Sequence, residues 1–337
     1  MSGASIPYHL RPHKAVDRRI FIDLLGRLER WRPMTDYVYV SMGAYPLEDH
    51  KLIHRILGIS RLIAFDKEGS VVARQLFNKP INNCHCIEKT SGQVVDQFDH
   101  ILDECGFGDP AGVIVWLDYT NPKKLGEQIR EFQALLDRLS AGDVVRITVN
   151  AHPHELIDGP SEKAMKGEEK RAKQFAALQG RIKEFMPSRA TADHMTAEEL
   201  PRVIAESFAA AALKALPVSS AFTFRPLSLV RYADGVQMLS ITGAVAKRAD
   251  EGEMLARLGL EAWPFASDTW SSIHKLVVPD LTIRERLFLE REVVSKTPAE
   301  IVDALGFDAA SGIAISDFID TYKNYYRFYP TLLAADL

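Results

Sequence analysis

Cysteine is scarce, with three in 337 residues (Cys84, Cys86 and Cys105), too few and too clustered for a disulfide framework. The odd count points to free thiols in a reducing compartment. No stretch holds ~18 uninterrupted apolar residues, so no membrane-spanning helix is expected. The N-terminus, MSGASIPYHLRPHKAVDRR, has no apolar run of the kind a secretory leader needs, so the expectation is a cytoplasmic protein. Charge of either sign is not in surplus: 41 basic against 45 acidic residues leave a net −4. That excludes a global field drawing the chain to nucleic acid or an anionic membrane, and any such binding needs a local patch. No G-x-G-x-x-G is present, which disfavours a nicotinamide dehydrogenase. No repeat of about 20–50 residues suggests a solenoid.

What is present is an ordinary globular composition, 47% hydrophobic, arranged in a regular alternation. Val16, Ile20, Leu24 and Leu28 recur at helical spacing over 15–32, and Pro33 stops the helix. Tyr37 to Val40 reads as a short strand closed by Ser41-Met42-Gly43, followed by a helix from Leu47 to Leu57. A second strand, 61–65, ends in Asp66 and leads to a helix over 71–78. A weak strand at 83–87 leads to a helix over 93–105, then Val113 to Leu117 is a continuous apolar strand before an amphipathic helix over 124–139. A fifth strand spans Val144 to Val149. Five such units predict an open, doubly wound, mostly parallel α/β sheet.

After Asn150 the rhythm changes. Residues 158–173 are charged and nearly free of large apolar side chains, which predicts a solvated, mobile insertion that extends towards residue 200. An Ala-rich helix over 203–216 precedes two strands, 222–231 and 236–245, joined by Asp234-Gly235, a strong hairpin signal. From 249 on the pattern is helical, with Thr297 as an N-cap and an aromatic segment over 317–329. The expected organisation is an arm and opening helix (1–29), the α/β domain (30–248) and a helical C-terminal appendix (249–337).

Helix, five strand–helix units and a terminal antiparallel hairpin, together with SMGAYPLEDHKLIHRILGISRLIAFDKE, VIVWLDYT and ITVNAHP, resemble the S-adenosylmethionine-dependent methyltransferases, a Rossmann-like family. In particular they resemble uncharacterised bacterial proteins labelled O-methyltransferase. The resemblance covers about two thirds of the chain. It implies that S-adenosylmethionine binds outside the carboxyl ends of the strands, at the turn Ser41-Met42-Gly43, at Asp66, whose carboxylate would meet the ribose hydroxyls, and at Asp118 and Tyr119 of the Leu117-Asp118-Tyr119-Thr120-Asn121-Pro122 turn. The turn after the first strand departs from the family in having one glycine, with Ala44 and Tyr45 where the backbone normally approaches the cofactor. The bland readings are a helix-capping Asp66, an Asx turn at Asp118 and core packing for Tyr119.

Candidate acid–base groups are Asp118, His152 and His154, the histidines following the fifth strand. Arg11, Lys14 and Asn150 are candidates for binding the acceptor, a small molecule or a nucleic acid. Arg11 and Lys14 belong to a basic N-terminal cluster that folds over the crevice or stays a solvated arm. His50 and His54, four apart, read as a surface or interface pair rather than metal ligands, and Cys84-His85-Cys86 as strand thiols, both sulfurs pointing one way and His85 the other. No metal is expected. The tyrosine-rich C-terminus reads as packing onto the core or onto a partner chain, as in a homo-oligomer, ahead of base stacking. The leading expectation is a methyltransferase of unknown acceptor; its rival is a non-catalytic methyltransferase-fold scaffold.

Overall fold

Strands β1 (Val38–Ser41) and β5 (Val144–Asn150) are buried along their whole length, which is why both read as continuous apolar runs interrupted only by residues that find partners inside. The computed structural model describes residues 12–279, 281–307 and 315–329. With β2 (Arg61–Asp66), β3 (Cys84–Glu88), β4 (Val113–Asp118), β6 (Phe222–Asp234), β7 (Val236–Lys247) and β8 (Ile273–Lys275), they form one eight-stranded sheet in the order β3-β2-β1-β4-β5-β7-β6-β8. Strands β1 to β5 run parallel, and β7 is antiparallel to both β5 and β6. The doubly wound sheet with its terminal hairpin is therefore as expected, and Gly235, at φ 91°, makes the turn between β6 and β7. Pro226 coincides with a register shift in β6, as a residue without an N–H requires.

The helices are α1 (Pro12–Leu28), α2 (Glu48–Leu57), α3 (Gly69–Asn78), α4 (Ser91–Asp96), α5 (Phe98–Glu104), α6 (Leu125–Leu136), α7 (Pro160–Ala164), α8 (Gly167–Ile182), α9 (Leu200–Ala215), α10 (Glu251–Leu258), α11 (Ile283–Glu292), α12 (Pro298–Leu305) and α13 (Ile315–Tyr325). One face of the sheet packs α4, α5, α6, α8 and α9 around Phe132, Leu178 and Phe208. The other packs α1, α2 and the C-terminal helices around Phe21, Trp116 and Tyr322. The single helix expected over 93–105 is two, broken at Gln97, while Thr90 starts the first with a capping box. The charged stretch 158–173 forms α7 and the start of α8, whose inward side places Gln174 and Leu178 in the interior.

One feature was not foreseen. The three-residue β8 pairs with β6 and lies inside the region expected to be helical; at that length no periodicity distinguishes a strand. The aromatic C-terminal segment is sealed onto its own chain. Tyr322 and Tyr325 are buried, the Tyr325 hydroxyl donates to the Val277 carbonyl, and the Tyr329 hydroxyl donates to that of Pro279 at 3.1 Å. The packing expectation holds for the chain's own core, and these rings are not available for stacking on bases.

Candidate active site

The two-residue period of a strand decides which side chains share a face. Tyr39, Leu62, Ile114 and Val144 belong to the core under α1, and Val40, Ile63, Val115 and Val145 to the opposite core. Counting in twos along each strand puts Ser41, Asp66, Asp118, Thr148 and Asn150 on the α1 side. Register then sets their height: Ser41 pairs with Ala64 and Trp116, and Asp118 with Thr148. Asp66, Asp118 and the Gly43 turn thus stand in one row at the carboxyl edge. Asp66 and Asp118, two strand spacings apart, are separated by about 10 Å. Tyr119, one residue on, faces the other way: it is buried, its N–H donates to the Thr148 carbonyl and its hydroxyl to Glu131. Its expected place beside a cofactor is not where its ring lies, and burial and the Glu131 carboxylate push its hydroxyl well above the usual tyrosine range.

Asp118 is held at the mouth of this row by the Lys14 ammonium through Oδ2, while its Oδ1 is buried without a hydrogen-bond partner. Lys14 comes from the first turn of α1, and that turn is pinned across the sheet. Asp234, at the hairpin tip, accepts from the backbone N–H of His13 at 3.2 Å and of Lys14 at 2.9 Å, capping the helix N-terminus. The His13 Nδ1 also meets Asp234 at 2.9 Å, and its Nε2 accepts from the Val278 N–H. From Pro12 on, the basic cluster is therefore a docked helix rather than a solvated arm. Arg11, Tyr8 and His9 lie outside the described residues.

Beneath the turn after β1 lies a network the sequence did not announce. Asp49 accepts from the hydroxyls of Tyr39 and Ser41, each at 2.7 Å, and lies 3.3 Å from His50 Nδ1, whose Nε2 reaches the Ile63 carbonyl at 3.1 Å. Burial alone would raise the Asp49 carboxyl, but the His50 imidazolium, with help from Arg18 and Tyr39, holds it well below the usual range. Burial would lower His50, and Asp49 outweighs it and raises it. His50 is thus interior, and His54 is tied to the Ile59 carbonyl at 3.0 Å, which corrects the expectation of a surface or interface pair. Gly43 has φ 59°, and a Cβ there would stand 2.7 Å from His50 Cε1 and from Leu47 Cδ2. The single glycine of the turn is required by this packing. Gln75 of α3 clasps the turn from outside, donating to the carbonyls of Met42 and Ala44, and its Oε1 has no partner.

Asp66 accepts from the Glu68 N–H at 2.9 Å through Oδ1, so one oxygen serves the turn into α3. At the end of β5, Asn150 accepts the His152 N–H at 3.0 Å. His152 Nδ1 in turn accepts the His154 N–H at 3.2 Å. Burial and then the neighbouring His154 hold the His152 ring below its ordinary range, and its neutral form carries the proton on Nε2. The acceptor nitrogen of His152 is therefore already used, which makes it a donor and argues against the general-base role expected of it. His154 is exposed on the same turn.

The family model described as "Putative O-methyltransferase" matches residues 6–337. The chain belongs to that family. Among solved structures, similar ones include a SAM-dependent methyltransferase from Anabaena variabilis (12% identity, 70% of this chain and 87% of that one, TM-score 0.39), and the N-methyltransferase NodS from Bradyrhizobium japonicum (10%, 69% and 97%, TM-score 0.34). A DUF574-family protein from Streptomyces avermitilis is similar at 13% identity, over 68% of this chain and 82% of that one, with TM-score 0.39. Likeness at that level carries nothing about activity. Among curated protein sequences none matches. Among the described residues, no helix is long and apolar enough to cross a membrane, and no cluster of His, Cys, Asp or Glu could hold a metal ion.

Proposed function

We propose that this O-methyltransferase-family chain binds S-adenosylmethionine at the carboxyl edge between β1, β2 and β4 and transfers its methyl group to an oxygen acceptor. The observation that carries the proposal is the Gly43–Asp66–Asp118 row, in which Asp118 is fixed by Lys14 yet keeps one buried oxygen without a donor. A buried acceptor of this kind costs about 1–3 kcal/mol while unpaired, and a hydroxyl or ammonium donor brought by a ligand recovers it. Asp66 offers its second oxygen to the ribose hydroxyls, and the backbone of Ser41, Met42 and Gly43 borders the amino-acid part. Bound S-adenosylmethionine supplies an electrophilic methyl group on a sulfonium. Lys14 orients the Asp118 carboxylate, whose Oδ1 accepts the proton of the acceptor hydroxyl, with Asn150 and the N-terminal residues, Arg11 among them, bounding the acceptor side. His152 donates, and His154, on the rim, is the other candidate for proton traffic. The acceptor is a small molecule or a nucleic acid, and the setting cytoplasmic.

Calorimetric titration with S-adenosylmethionine and S-adenosylhomocysteine, with NAD as control, tests this. Both sulfur ligands bind and NAD does not; Asp66→Ala loses about 1.5–3 kcal/mol of S-adenosylhomocysteine affinity, tenfold or more, while the chain still folds cooperatively, destabilised only by the lost Glu68 N–H bond, about 1 kcal/mol. Wild-type affinity in that variant would sink the assignment of Asp66. One feature favours a second reading, a non-catalytic scaffold with the same fold: His50 and Leu47 fill the space beneath Gly43, and Ala44 carries a Cβ at φ 43°. Absence of binding to either sulfur ligand selects that reading.

A further inference from the structure

Among the described residues, strand β3 is the outermost of the sheet on its side and pairs with β2 alone. Cys84 and Cys86 lie on its α2 side and touch the core there, whereas His85 points oppositely, its ring edge-on to Phe107 at 5.2 Å. The two side chains share that face and differ in access: Cys84 is 1% exposed and Cys86 only partly covered. We propose that Cys84 and Cys86 form a peroxide-reactive dithiol, Cys86 the attacking sulfur and Cys84 the resolving one, whose disulfide is a reversible modification of this chain.

Residues two apart on a strand have Cα atoms about 6.6 Å apart, inside the range of about 4.4–6.8 Å that disulfides span. Their Cβ atoms start out parallel, so closing the bond puckers the strand between them. An edge strand, held from one side only, accommodates that, and a disulfide closed under such strain is readily reduced, as a reversible switch requires. The polarity of the pair supports the division of roles. The neighbouring Cys84 thiol, with His50 and Lys79 nearby, holds the Cys86 thiol below its ordinary range against burial, while Cys84 is pushed up.

In the first step the Cys86 thiolate attacks the terminal oxygen of a hydroperoxide. The O–O bond breaks, the alcohol or water leaves with the proton that Cys86 gave up, and Cys86 becomes a sulfenic acid. In the second, the Cys84 sulfur attacks the Cys86 sulfur, expelling the hydroxyl as water with the Cys84 proton. Two thiols are oxidised by two electrons and one peroxide is reduced. Cys86 is within electrostatic reach of His50, and His50 stands against Gly43, so a change of charge at Cys86 is felt beneath the turn after β1. This last consequence, weaker cofactor binding in the oxidised chain, rests on the function proposed above; the thiol chemistry does not.

The test treats the full chain with hydrogen peroxide, alkylates it under denaturing conditions and maps peptides by mass. Alkylatable thiols fall from three to one, Cys105 remaining, the peptide carrying Cys84 and Cys86 is lighter by two hydrogens, and dithiothreitol restores both. In Cys84→Ser the Cys86 sulfenic acid persists and is trapped by dimedone; in Cys86→Ser the same dose leaves Cys84 free. Three alkylatable thiols after peroxide, oxidation of Cys105 ahead of Cys86, or Cys86 passing to sulfinic acid with Cys84 still free would each overturn the proposal. A disulfide that forms while S-adenosylhomocysteine affinity is unchanged keeps the dithiol and removes the coupling. A chain that never binds that ligand leaves the mass readout intact.

Discussion

Asp49 and His50 show how much two adjacent residues contribute once they are interior. Each is costly to bury alone, and together with Tyr39 and Ser41 they are mutually satisfied, so removing one partner leaves an uncompensated charge. Asp49→Asn is expected to lower stability by about 3–5 kcal/mol in urea titration. The pH dependence follows from the signs. The depressed Asp49 contributes stability that is present above its unfolded value of about 4 and is lost as pH falls through the folded value. The raised His50 contributes stability that is full below about 6.5 and is lost as pH rises through its folded value. Wild type should therefore be most stable between those limits with respect to this pair, and Asp49→Asn should flatten both limbs; unaltered limbs would show that the pair is not ionised. Nothing in the sequence distinguished His50 from His54, because i,i+4 spacing shows a shared face and not which face is inside.

Among elements, the turn after β1 is the most constrained. Gly43→Ala places a Cβ against His50 and Leu47 and asks a non-glycine residue to hold φ 59°. The left-handed backbone alone costs about 1–2 kcal/mol, and displacement of His50 adds to it, so the expected outcome is a lowered unfolding midpoint together with weakened S-adenosylhomocysteine binding. A variant with full stability and affinity would contradict the packing described. Helix α12 offers a milder case: Thr297 and Glu300 form a reciprocal capping box, and Thr297→Ala should cost about 1 kcal/mol in chemical denaturation with no effect on ligand binding. That cap was legible from Thr297 and Pro298 alone, as was the Asp234-Gly235 hairpin, because both are local backbone devices. Helix α1 was legible as a helix, but its anchoring was not: Lys14 to Asp118 and Asp17 to Arg146 join residues more than a hundred positions apart. The alternation Arg146, Thr148, Asn150 in β5 was the available signal, polar residues on one face of a buried strand that must find partners.

For the whole molecule, the face of the sheet under α1 is shared with the C-terminal region. Met254, Trp263, Leu276, Leu289, Ile301, Phe318 and Tyr325 belong to the same core as Leu227, Val230 and Trp116 of the sheet. A chain ended after residue 248 is therefore expected to bind a hydrophobic dye and lose its cooperative thermal transition, since that apolar surface becomes exposed. A soluble, cooperatively folding 1–248 chain would instead show the C-terminal helices to be an independent appendix, as the texture of the sequence suggests.

The sequence by itself determined the alternation of strands and helices, the terminal hairpin and, through Gly43, Asp66 and Asp118, the row at the carboxyl edge, because these are written in local periodicity, turn chemistry and strand ends. Only the tertiary structure decided that Lys14 meets Asp118, that His50 is interior, that Tyr119 turns away and that the C-terminal tyrosines close the chain's own core. Those outcomes depend on which distant surface each residue is pressed against, and burial, which turns a charge or a ring from solvated to partnered, is a property of the assembled molecule.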